Sequence, residues 1–484
     1  MWRASLDVAE WSCIRKHPCV TEQKPSYEPP KTGQLISANA FTPVRRPSEK
    51  RLLKRLFIGL AGLVVLGLLG FIVLAWQSAI APIAPPPAAS FSPELVARGE
   101  ALAGGGYCAN CHTAKGGQRF AGGYAMQTPF GVLYSTNITP DPETGIGTWS
   151  EAAFARAMRE GVARDGSHLF PVFPYNHFTK LSDDDVRALY AYFMTRAPVR
   201  APAPTNGLPF PLNIRALEAG WKLLFFRPGR FQPDPAQSVE WNRGAYLAEG
   251  LSHCGACHTP RNLLGAEKDG DAYAGAVIDD WIAPPLTSAN PAPAPWTQDE
   301  LHSYLRNGMS LLHGTPSGPM APVVHGGLSA LPDSDVQAIA LYFADLDHAR
   351  DREPAVAAAV ARAMSYASLG TGQEFDADAR LYTAACASCH YNAGKAPLAV
   401  RPDLALNSAL SLPDPTNLVQ VMLRGISASE GIPGVVMPGF AHAFTDTDIA
   451  RIAAYLRRTR TNLPPWTDLD EKITAVRHQI SASR

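Results

Sequence analysis

Cys108-Ala109-Asn110-Cys111-His112 recurs as Cys254-Gly255-Ala256-Cys257-His258 and again as Cys386-Ala387-Ser388-Cys389-His390. Each copy places two cysteines three positions apart and a histidine directly after the second cysteine. The copies are separated by about 146 and 132 residues, which is the scale of a domain. The greater part of the chain is therefore expected to consist of three similar units, each with the motif near its start.

The spacing of these residues favours one kind of chemistry. Two thiols three positions apart lie on neighbouring sides of a helical turn, where they can add to the two vinyl groups of a porphyrin, and the next histidine then reaches the iron. A zinc site would have to combine motifs more than 100 residues apart, and a thioredoxin-like redox pair needs a βαβ context that the sequence lacks. The motifs therefore predict three covalently bound haem c groups. Thioether bonds are expected at Cys108, Cys111, Cys254, Cys257, Cys386 and Cys389, and iron ligation at His112, His258 and His390.

A sixth iron ligand is expected from a loop some tens of residues after each motif. Met437 lies about 47 residues after His390, and Met320 lies about 62 residues after His258, both beside prolines and glycines. A thioether in this place raises the reduction potential of a haem relative to a second imidazole. The matched placement predicts Met320 and Met437 as iron ligands.

The first unit departs from this pattern. At the corresponding spacing it has Phe173, which cannot bind iron. His177 follows Phe173 by four residues and His168 precedes it by five. Either histidine, another methionine or an open coordination position remains possible at this stage.

Composition and missing motifs argue against some functions. The 484 residues contain 43 Lys and Arg and 43 Asp and Glu, so the formal net charge is zero and no nucleic-acid partner is expected. Two of the eight cysteines, Cys13 and Cys19, lie outside the motifs and lack their spacing. The sequence shows no Ser/His/Asp arrangement, no GxGxxG after a strand and no P-loop, so no substrate chemistry of its own is expected.

One segment is apolar enough to cross a membrane. Leu56 to Trp76 is a run of about 21 uncharged residues, which as a helix matches a hydrocarbon core of about 30 Å. Six Lys and Arg residues crowd its N-terminal side, whereas the next cation after it is Arg98. The positive-inside rule then leaves the N-terminus in the cytoplasm and exports everything from Gln77 onward. A cleaved signal peptide ending near Ala81 is the alternative, but the length of the run favours a retained anchor.

Helical periodicity frames each motif. An apolar face precedes it, at Pro93–Leu102, Arg243–Gly250 and Ala377–Tyr382, and an amphipathic segment closes each unit, at Asp183–Phe193, Asp333–Phe343 and Asp446–Leu456. No strand alternation of similar strength lies between them. The sequence therefore predicts an all-α fold. The expected boundaries are a disordered tail at 1–50, a transmembrane anchor at 51–80, domains at 92–200, 238–350 and 373–465, linkers at 201–237 and 351–372, and a C-terminal tail at 466–484.

The first linker contains an aromatic-rich amphipathic stretch. Leu212 to Phe226 includes Trp221, Leu224 and Phe225, and such a helix can lie on a membrane surface or against a partner. Packing between the flanking domains is the other interpretation, and the sequence favours it. The second linker is rich in alanine and is expected to be helical.

Longer stretches resemble a known family. Thr128-Pro129-Phe130-Gly131, the run His253–Gly265 and Ser317-Gly318-Pro319-Met320 are similar to the triple-haem cytochrome c subunits of bacterial membrane-bound dehydrogenases, over nearly all of the exported region. The family includes the subunits of alcohol dehydrogenase and gluconate 2-dehydrogenase. The stretch Phe173–Phe178 looks most like the branch that serves molybdenum hydroxylases such as nicotinate or isoquinoline dehydrogenase.

The resemblance implies three tandem class I cytochrome c domains behind one N-terminal transmembrane helix. They would be periplasmic, on the inner membrane, and would relay electrons from catalytic dehydrogenase subunits to ubiquinone, a terminal oxidase or another cytochrome acceptor. In the alcohol dehydrogenase type the Phe173 position is typically the methionine ligand of the first haem, and the resemblance to the other branch favours His177 as its substitute.

Three alternatives accompany this interpretation. In one of them the chain is the cytochrome subunit of a terminal oxidase, which would co-purify with a haem–copper core rather than with a dehydrogenase. In another, the partner would instead be a quinoprotein alcohol dehydrogenase containing pyrroloquinoline quinone or a flavin-dependent gluconate 2-dehydrogenase. In a different class, an open first haem beside Phe173 would make the chain an independent haem enzyme, which would show high-spin ferric absorption that shifts on adding cyanide or peroxide.

Overall fold

The computed structural model describes residues 49–368, 376–390, 398 and 400–482. The chain divides into two compact units, one ending at Val65 and the other covering Leu66–Arg484. All but the last two residues of the predicted N-terminal tail lie outside the described range.

Helix α1 covers Glu49–Ala75 and crosses the boundary between the two units. From Lys50 to Ala75 its mean hydropathy is 2.8, and it is long and apolar enough to cross a membrane. The prediction of one apolar helix near the N-terminus is confirmed, and it is the only such helix in the part of the chain that the structure describes.

The region up to residue 200 contains five more helices and one hairpin. These are α2 Pro93–Gly105, α3 Cys108–Cys111, β1 Ala125–Thr128, β2 Gly131–Tyr134, α4 Glu151–Glu160, α5 Tyr175–Phe178 and α6 Asp183–Met194. Helix α7, Glu218–Phe225, follows in the first predicted linker.

The next region repeats the same order of elements. It contains α8 Val239–Tyr246, which runs into a π-helical turn at Leu247–Leu251, then α9 Gly255–His258, β3 Ala276–Ile278, β4 Trp281–Ala283, α10 Gln298–Asn307, α11 Met320–Gly326 and α12 Asp333–Leu346. Helices α13 Ala349–Arg352 and α14 Pro354–Ser368 confirm the predicted helical character of the second linker.

The described residues of the last region contain six α-helices and no hairpin of the kind seen in the first two regions. The helices are α15 Ala377–Ala385, α16 Ala387–His390, α17 Ser408–Ser411, α18 Thr416–Arg424, α19 Asp446–Arg460 and α20 Leu469–Ala482. All six opening and closing helices expected from periodicity are therefore present: α2, α8 and α15 open the regions, and α6, α12 and α19 close them.

Two features differ from the sequence-based expectation. The fold is not purely α-helical, because β1–β2 and β3–β4 form two separate antiparallel hairpins. The segment predicted as a C-terminal tail forms α20, whose Ile473 and Val476 are buried in the core of the last region. Strands of three or four residues are too short to show alternation, and α20 has an apolar face that finds a core only in the folded chain.

Opening and closing helices pack closely. An added Cβ at Gly99 would lie 2.0 Å from the carbonyl oxygen of Ala188, so only glycine lets α2 and α6 approach this far. An added Cβ at Gly244 would lie at the same distance, 2.0 Å, from the carbonyl oxygen of Ala338, so α8 and α12 approach equally closely. The repetition of this approach indicates that the first two regions share one architecture.

An arginine beside each of these glycines reinforces the helix pairs. Arg98 donates to Asp185 at 2.7 and 3.0 Å, and Arg243 donates to Asp335 at 2.7 and 2.8 Å. In the last region the arginine lies on the closing helix and the aspartate on the opening helix: Arg451 of α19 donates to Asp378 of α15 at 2.7 Å.

The hydrophobic cores do not follow the predicted boundaries one to one. A single buried cluster runs from Leu102 to Ala349 and joins the first two regions through residues such as Tyr246 and Leu247. A separate cluster, from Ala379 to Val476, forms the core of the last region. The division into three domains stays a prediction.

Candidate haem-binding sites

Each Cys-x-x-Cys-His motif lies on a short helical turn. Cys108 and Cys111 are the first and last residues of α3. Helices α9 and α16 begin directly after the first cysteine of their motifs, contain the second, and end at His258 and His390. None of the six motif cysteines forms a disulfide bond. The three turns therefore present two unpaired thiols and one imidazole each, as covalent attachment of a porphyrin requires.

A backbone carbonyl fixes each motif histidine. Nδ1 of His112 lies 2.7 Å from the carbonyl oxygen of Thr136, and Nδ1 of His258 lies 2.7 Å from that of Pro284. Nδ1 of His390 lies 3.3 Å from the carbonyl oxygen of Pro402. When Nδ1–H donates to a carbonyl, Nε2 is left as the lone-pair donor and the ring is oriented, which is the usual arrangement for a histidine that binds a metal.

The two hairpins explain where the first two acceptors come from. Thr136 follows β2 and Pro284 follows β4, so each hairpin turns the chain back towards its motif histidine. Sequence analysis missed these groups, because a backbone carbonyl has no residue type to recognise. The hairpins themselves were the only available signal, and they are only three or four residues long.

Burial keeps the groups in the protonation states that haem attachment needs. It lowers the pKa of His112, His258 and His390, which outweighs the opposing effect of their carbonyl partners and favours neutral imidazole. Burial also raises the pKa of Cys108 and Cys254 to about 12. A redox-active Cys-x-x-Cys pair shows the opposite shift.

The same loop geometry recurs after the middle helix of each region. Helices α4, α10 and α18 are each followed by a glycine with positive φ: Gly161 at 61°, Gly308 at 71° and Gly425 at 76°. An antiparallel bridge then begins one or two residues later, at Val162, Ser310 and Ile426. The chain from the start of this bridge to the closing helix has an equivalent place in the order of elements of the three regions, and it holds the residues considered as sixth ligands. Met437 is itself a bridge residue, whereas Phe173 and Met320 follow their bridges.

Met320 and Met437 both lie in this equivalent segment. Met320 is the first residue of α11 and packs half-buried against the first core. Met437 exchanges two backbone hydrogen bonds with Ile426, at 2.9 and 3.0 Å, and its side chain is also half-buried. Their role as ligands stays a prediction, and their position in equivalent loops agrees with it.

Phe173 lies in the equivalent segment of the first region. It packs against the first core, with its ring 5.4 Å from that of Phe178. The first region therefore puts an aromatic side chain, with no atom able to bind iron, where the other two put methionine.

His177 is engaged elsewhere. Its Nε2 lies 2.9 Å from Oε1 of Glu267, and its Nδ1 lies 2.8 Å from the carbonyl oxygen of Glu249. An added Cβ at Gly255 would lie 3.2 Å from Cε1 of His177, so the ring borders the second motif. Ligation of the first haem by His177 stays a prediction, and an iron ligated by this ring would replace one of these hydrogen bonds.

His168 is also engaged. Its Nε2 lies 3.0 Å from the carbonyl oxygen of Ala75, and its Nδ1 lies 3.0 Å from Nζ of Lys222. The ring thus links the end of α1 to α7 and has no free nitrogen in this structure.

The first two motifs are close neighbours. Burial raises the pKa of Cys257 to about 11, and Cys111 of the first motif is among the charges that add to this effect. An added Cβ at Gly106 would lie 3.3 Å from Leu251 and 3.5 Å from Sγ of Cys108, so the segments before the two motifs touch. The arrangement suits two groups that exchange electrons.

The residues of the three motifs fit haem c. The orienting carbonyls, the neutral imidazoles and the free thiol pairs are what the attached group needs. In the described part of the chain, no three His, Cys, Asp or Glu side chains form a cluster that would hold a bare metal ion.

Comparison with known proteins gives two matching family models. The model for cytochrome c matches residues 96–197, and the model described as cytochrome c oxidase, cbb3-type, subunit III matches residues 373–456. The first and third motifs fall inside these matches, whereas the second motif lies between them.

Similar whole proteins are subunits of dehydrogenases. The fructose dehydrogenase cytochrome subunit of Gluconobacter japonicus is 38% identical over 395 residues, which cover 78% of this chain and 81% of that protein. The gluconate 2-dehydrogenase cytochrome c subunit of Pantoea cypripedii is 39% identical over 412 residues, which cover 81% of this chain and 89% of that protein.

A third relative is more similar in sequence and much longer. It is a subunit of the nicotinate dehydrogenase of Pseudomonas putida, and it is 47% identical over 437 residues, which cover 89% of this chain. The chain spans only 36% of the length of that relative.

Proposed function

We propose that this chain, which belongs to the family of cytochrome c subunits of dehydrogenases, relays electrons through three haem c groups. The electrons pass from a partner dehydrogenase to an acceptor at the membrane. The acceptor is ubiquinone, a terminal oxidase or another cytochrome. The observation that carries the proposal is the threefold recurrence of free Cys-x-x-Cys thiols beside a histidine oriented by a backbone carbonyl.

Three haems rather than two are supported by the second region. It lies between the two family-model matches, at 96–197 and 373–456. It nevertheless shares three features with the first region. These are the close helix pair, here at Gly244, the motif histidine bound to a backbone carbonyl, here His258, and the glycine with positive φ, here Gly308. A region with the same helix packing and the same oriented histidine is equipped to hold the same group.

Bound haem supplies one-electron oxidation and reduction of iron, and the protein residues set its attachment and ligation. We assign the thioether bonds to the six motif cysteines and the proximal ligation to His112, His258 and His390. Met320 and Met437 are the proposed sixth ligands of the second and third haems. The first haem lacks a methionine at Phe173, and the hydrogen bonds of His177 favour a structural role for that residue.

The preferred partner is a molybdenum hydroxylase that oxidises an aldehyde or an N-heterocycle. Sequence identity supports it, because it is 47% to the nicotinate dehydrogenase subunit and 38–39% to the fructose and gluconate dehydrogenase subunits. A quinoprotein alcohol dehydrogenase or a flavin-dependent gluconate dehydrogenase is the alternative partner.

Helix α1 supports a location of the relay at a membrane. Helix α1 is long and apolar enough to span, and cations precede its apolar part. We propose that the N-terminus is cytoplasmic and that the haem-binding regions are periplasmic on the inner membrane.

Purification of the full chain from its own membranes tests the function. A catalytic chain that carries molybdopterin is expected to co-purify, and adding an N-heterocycle such as nicotinate under anaerobic conditions is expected to reduce the haems. Ethanol, gluconate and fructose serve as controls. Co-purification of a quinoprotein or flavoprotein, with haem reduction by ethanol or gluconate, would replace the preferred partner. Absence of any dehydrogenase would overturn the proposal.

A further inference from the structure

The apolar residues of α7 divide into two faces. Ala219 is buried, and Nζ of Lys222 donates to the carbonyl oxygens of Glu160 and Gly161 at 2.6 and 2.7 Å. This face holds α7 against the first region, as the sequence favoured. Leu223 and Leu224, in contrast, are 63% and 58% exposed. An eight-residue helix that is fixed on one side thus shows large apolar side chains on the other.

A second exposed apolar segment lies beside α7. Nε1 of Trp221 donates to the carbonyl oxygen of Leu264 at 2.9 Å, which joins the loop around Leu263 to the helix. Leu263 is 97% exposed and Leu264 is also exposed. The loop belongs to the second region, whereas α7 lies in the linker, and this hydrogen bond brings the two segments together. The α7 surface is defined here as Leu217, Leu223, Leu224, Leu263 and Leu264.

The α7 surface borders the apolar helix α1. An added Cβ at Gly220 would lie 3.6 Å from Cε2 of Phe71. Phe71 precedes the last residue of α1, Ala75, by four residues, or about 6 Å along a helix axis. Leu217, Gly220 and Leu224 follow a helical spacing and share this side of α7.

The exit of α1 is tied to the first region by several hydrogen bonds. His168 binds the carbonyl oxygen of Ala75 at 3.0 Å, and Arg156 donates to that of Ser78 at 2.6 Å. Ile80 and Arg164 are joined by a backbone hydrogen bond of 2.8 Å. Because the chain is fixed directly at the end of α1, the haem-binding body has no free tether on which to move away from the membrane.

We propose that the α7 surface is embedded in the outer leaflet of the membrane beside α1, with lipid acyl chains as its occupant. The proposal rests on the anchor in the proposed function. If Ala75 marks the interface, then Phe71 lies within the hydrocarbon, and α7, at the level of Phe71, lies there too. An amphipathic helix with a Trp at the boundary suits this depth. The body is thereby held in one orientation, with the end of α7 and the loop around Leu263 facing the lipid.

A photoactivatable probe on the acyl chain of a phospholipid tests the proposal. The full chain is reconstituted in vesicles of phosphatidylethanolamine and phosphatidylglycerol containing the probe, and labelled peptides are identified by mass spectrometry. Peptides with Leu223–Leu224 and Leu263–Leu264 are expected to be labelled several-fold more than the peptide with Val239. Val239 is the matched control because it is apolar and 89% exposed but lies outside the α7 surface.

Variants sharpen the comparison. The double change Leu223→Glu and Leu224→Glu is expected to reduce labelling of α7 several-fold without changing the haem spectrum, whereas Val239→Glu leaves all labelling unchanged. Labelling of α1 without labelling of α7 above the Val239 level would overturn the proposal, leave the anchor in place and indicate a protein partner for this surface. Labelling of neither would overturn both the proposal and the anchor.

Discussion

Nε2 of His177 lies 2.9 Å from Oε1 of Glu267, ninety residues farther along the chain. The pair joins helix α5 of the first region to the segment after the second motif. Burial alone would raise the pKa of Glu267, but the hydrogen bond and charge of His177, together with Arg261 and Asn176, lower it to about 2. His177 is therefore a structural link between two haem-binding regions.

Replacing His177 with alanine tests whether it is a link or an iron ligand. The variant His177→Ala removes the partner of a largely buried carboxylate, so the free energy of unfolding is expected to fall by about 1–3 kcal/mol. The spectrum and potential of the first haem are expected to stay unchanged. Urea unfolding and a redox titration measure the two effects.

His302→Ala is the matched control. It breaks a pair with Asp333 at the same 2.9 Å, but the Asp333 side chain is 51% exposed, so the loss is expected to stay below about 1 kcal/mol. Conversion of one haem to the high-spin state in His177→Ala alone would show that His177 binds iron.

The methionine ligands are tested by spectroscopy. Met320→Leu and Met437→Leu each keep the volume of the side chain and remove its thioether. Because two thioether-ligated haems are proposed, each variant is expected to lose about half of the near-infrared absorption of thioether-ligated ferric haem. Each is also expected to lower the reduction potential of one haem. Met158→Leu, at a buried methionine of the first core, is expected to leave that absorption intact. Unchanged absorption in Met320→Leu would remove Met320 from the ligand set.

The ion pair between Arg243 and Asp335 is expected to stabilise the second region. Asp335→Ala removes both hydrogen bonds of a half-buried guanidinium, and the free energy of unfolding is expected to fall by about 1.5–3 kcal/mol. Glu143→Ala is the control, since the Arg200–Glu143 pair is 74% and 63% exposed and is worth less than about 1 kcal/mol. Equal losses in the two variants, measured by urea unfolding, would contradict this account of helix pairing.

Protonation of His313 is expected to make the stability of the folded chain depend on pH. Burial lowers the pKa of His313 from 6.5 to about 3, against a smaller opposing effect of the Pro295 backbone. The unfolded chain then binds a proton that the folded chain does not, so stability is complete above pH 6.5 and is lost as the pH falls towards 3. His313→Phe keeps a ring to stack on Trp296, 3.7 Å away, and removes the titration. The variant is expected to lose less stability than the original chain between pH 6 and pH 4 in thermal unfolding, and equal losses would contradict the assignment.

The sequence predicted the parts of the site that depend on residue type and local spacing. The motif cysteines and histidines are determined by covalent chemistry, and the opening and closing helices by an apolar face that repeats at helical period. The glycines that let α2 approach α6 and α8 approach α12 lie within these helices, but their role depends on the partner helix and was not apparent.

The rest depends on distant contacts. The acceptor of His112 is a carbonyl 24 residues away, positioned by a hairpin with strands of four residues. His177 was singled out by its position in the sequence, but its hydrogen bond to Glu267, which lies in another region, was not apparent there. Helix α20 has too little apolar surface to be recognised as core before the groove that receives Ile473 exists. Tertiary contacts determine the acceptor of His112, the partner of His177 and the burial of α20, and the local sequence pattern does not indicate these contacts.

The number of haems per chain tests the central claim most directly, and the second motif is the informative one. Covalently bound haem is quantified per mole of full chain by its pyridine complex, for the unaltered chain and for the double change Cys254→Ala and Cys257→Ala. The account predicts three haems in the unaltered chain and two in the variant. Two haems in both would show that Cys254 and Cys257 hold none and would contradict a three-haem relay.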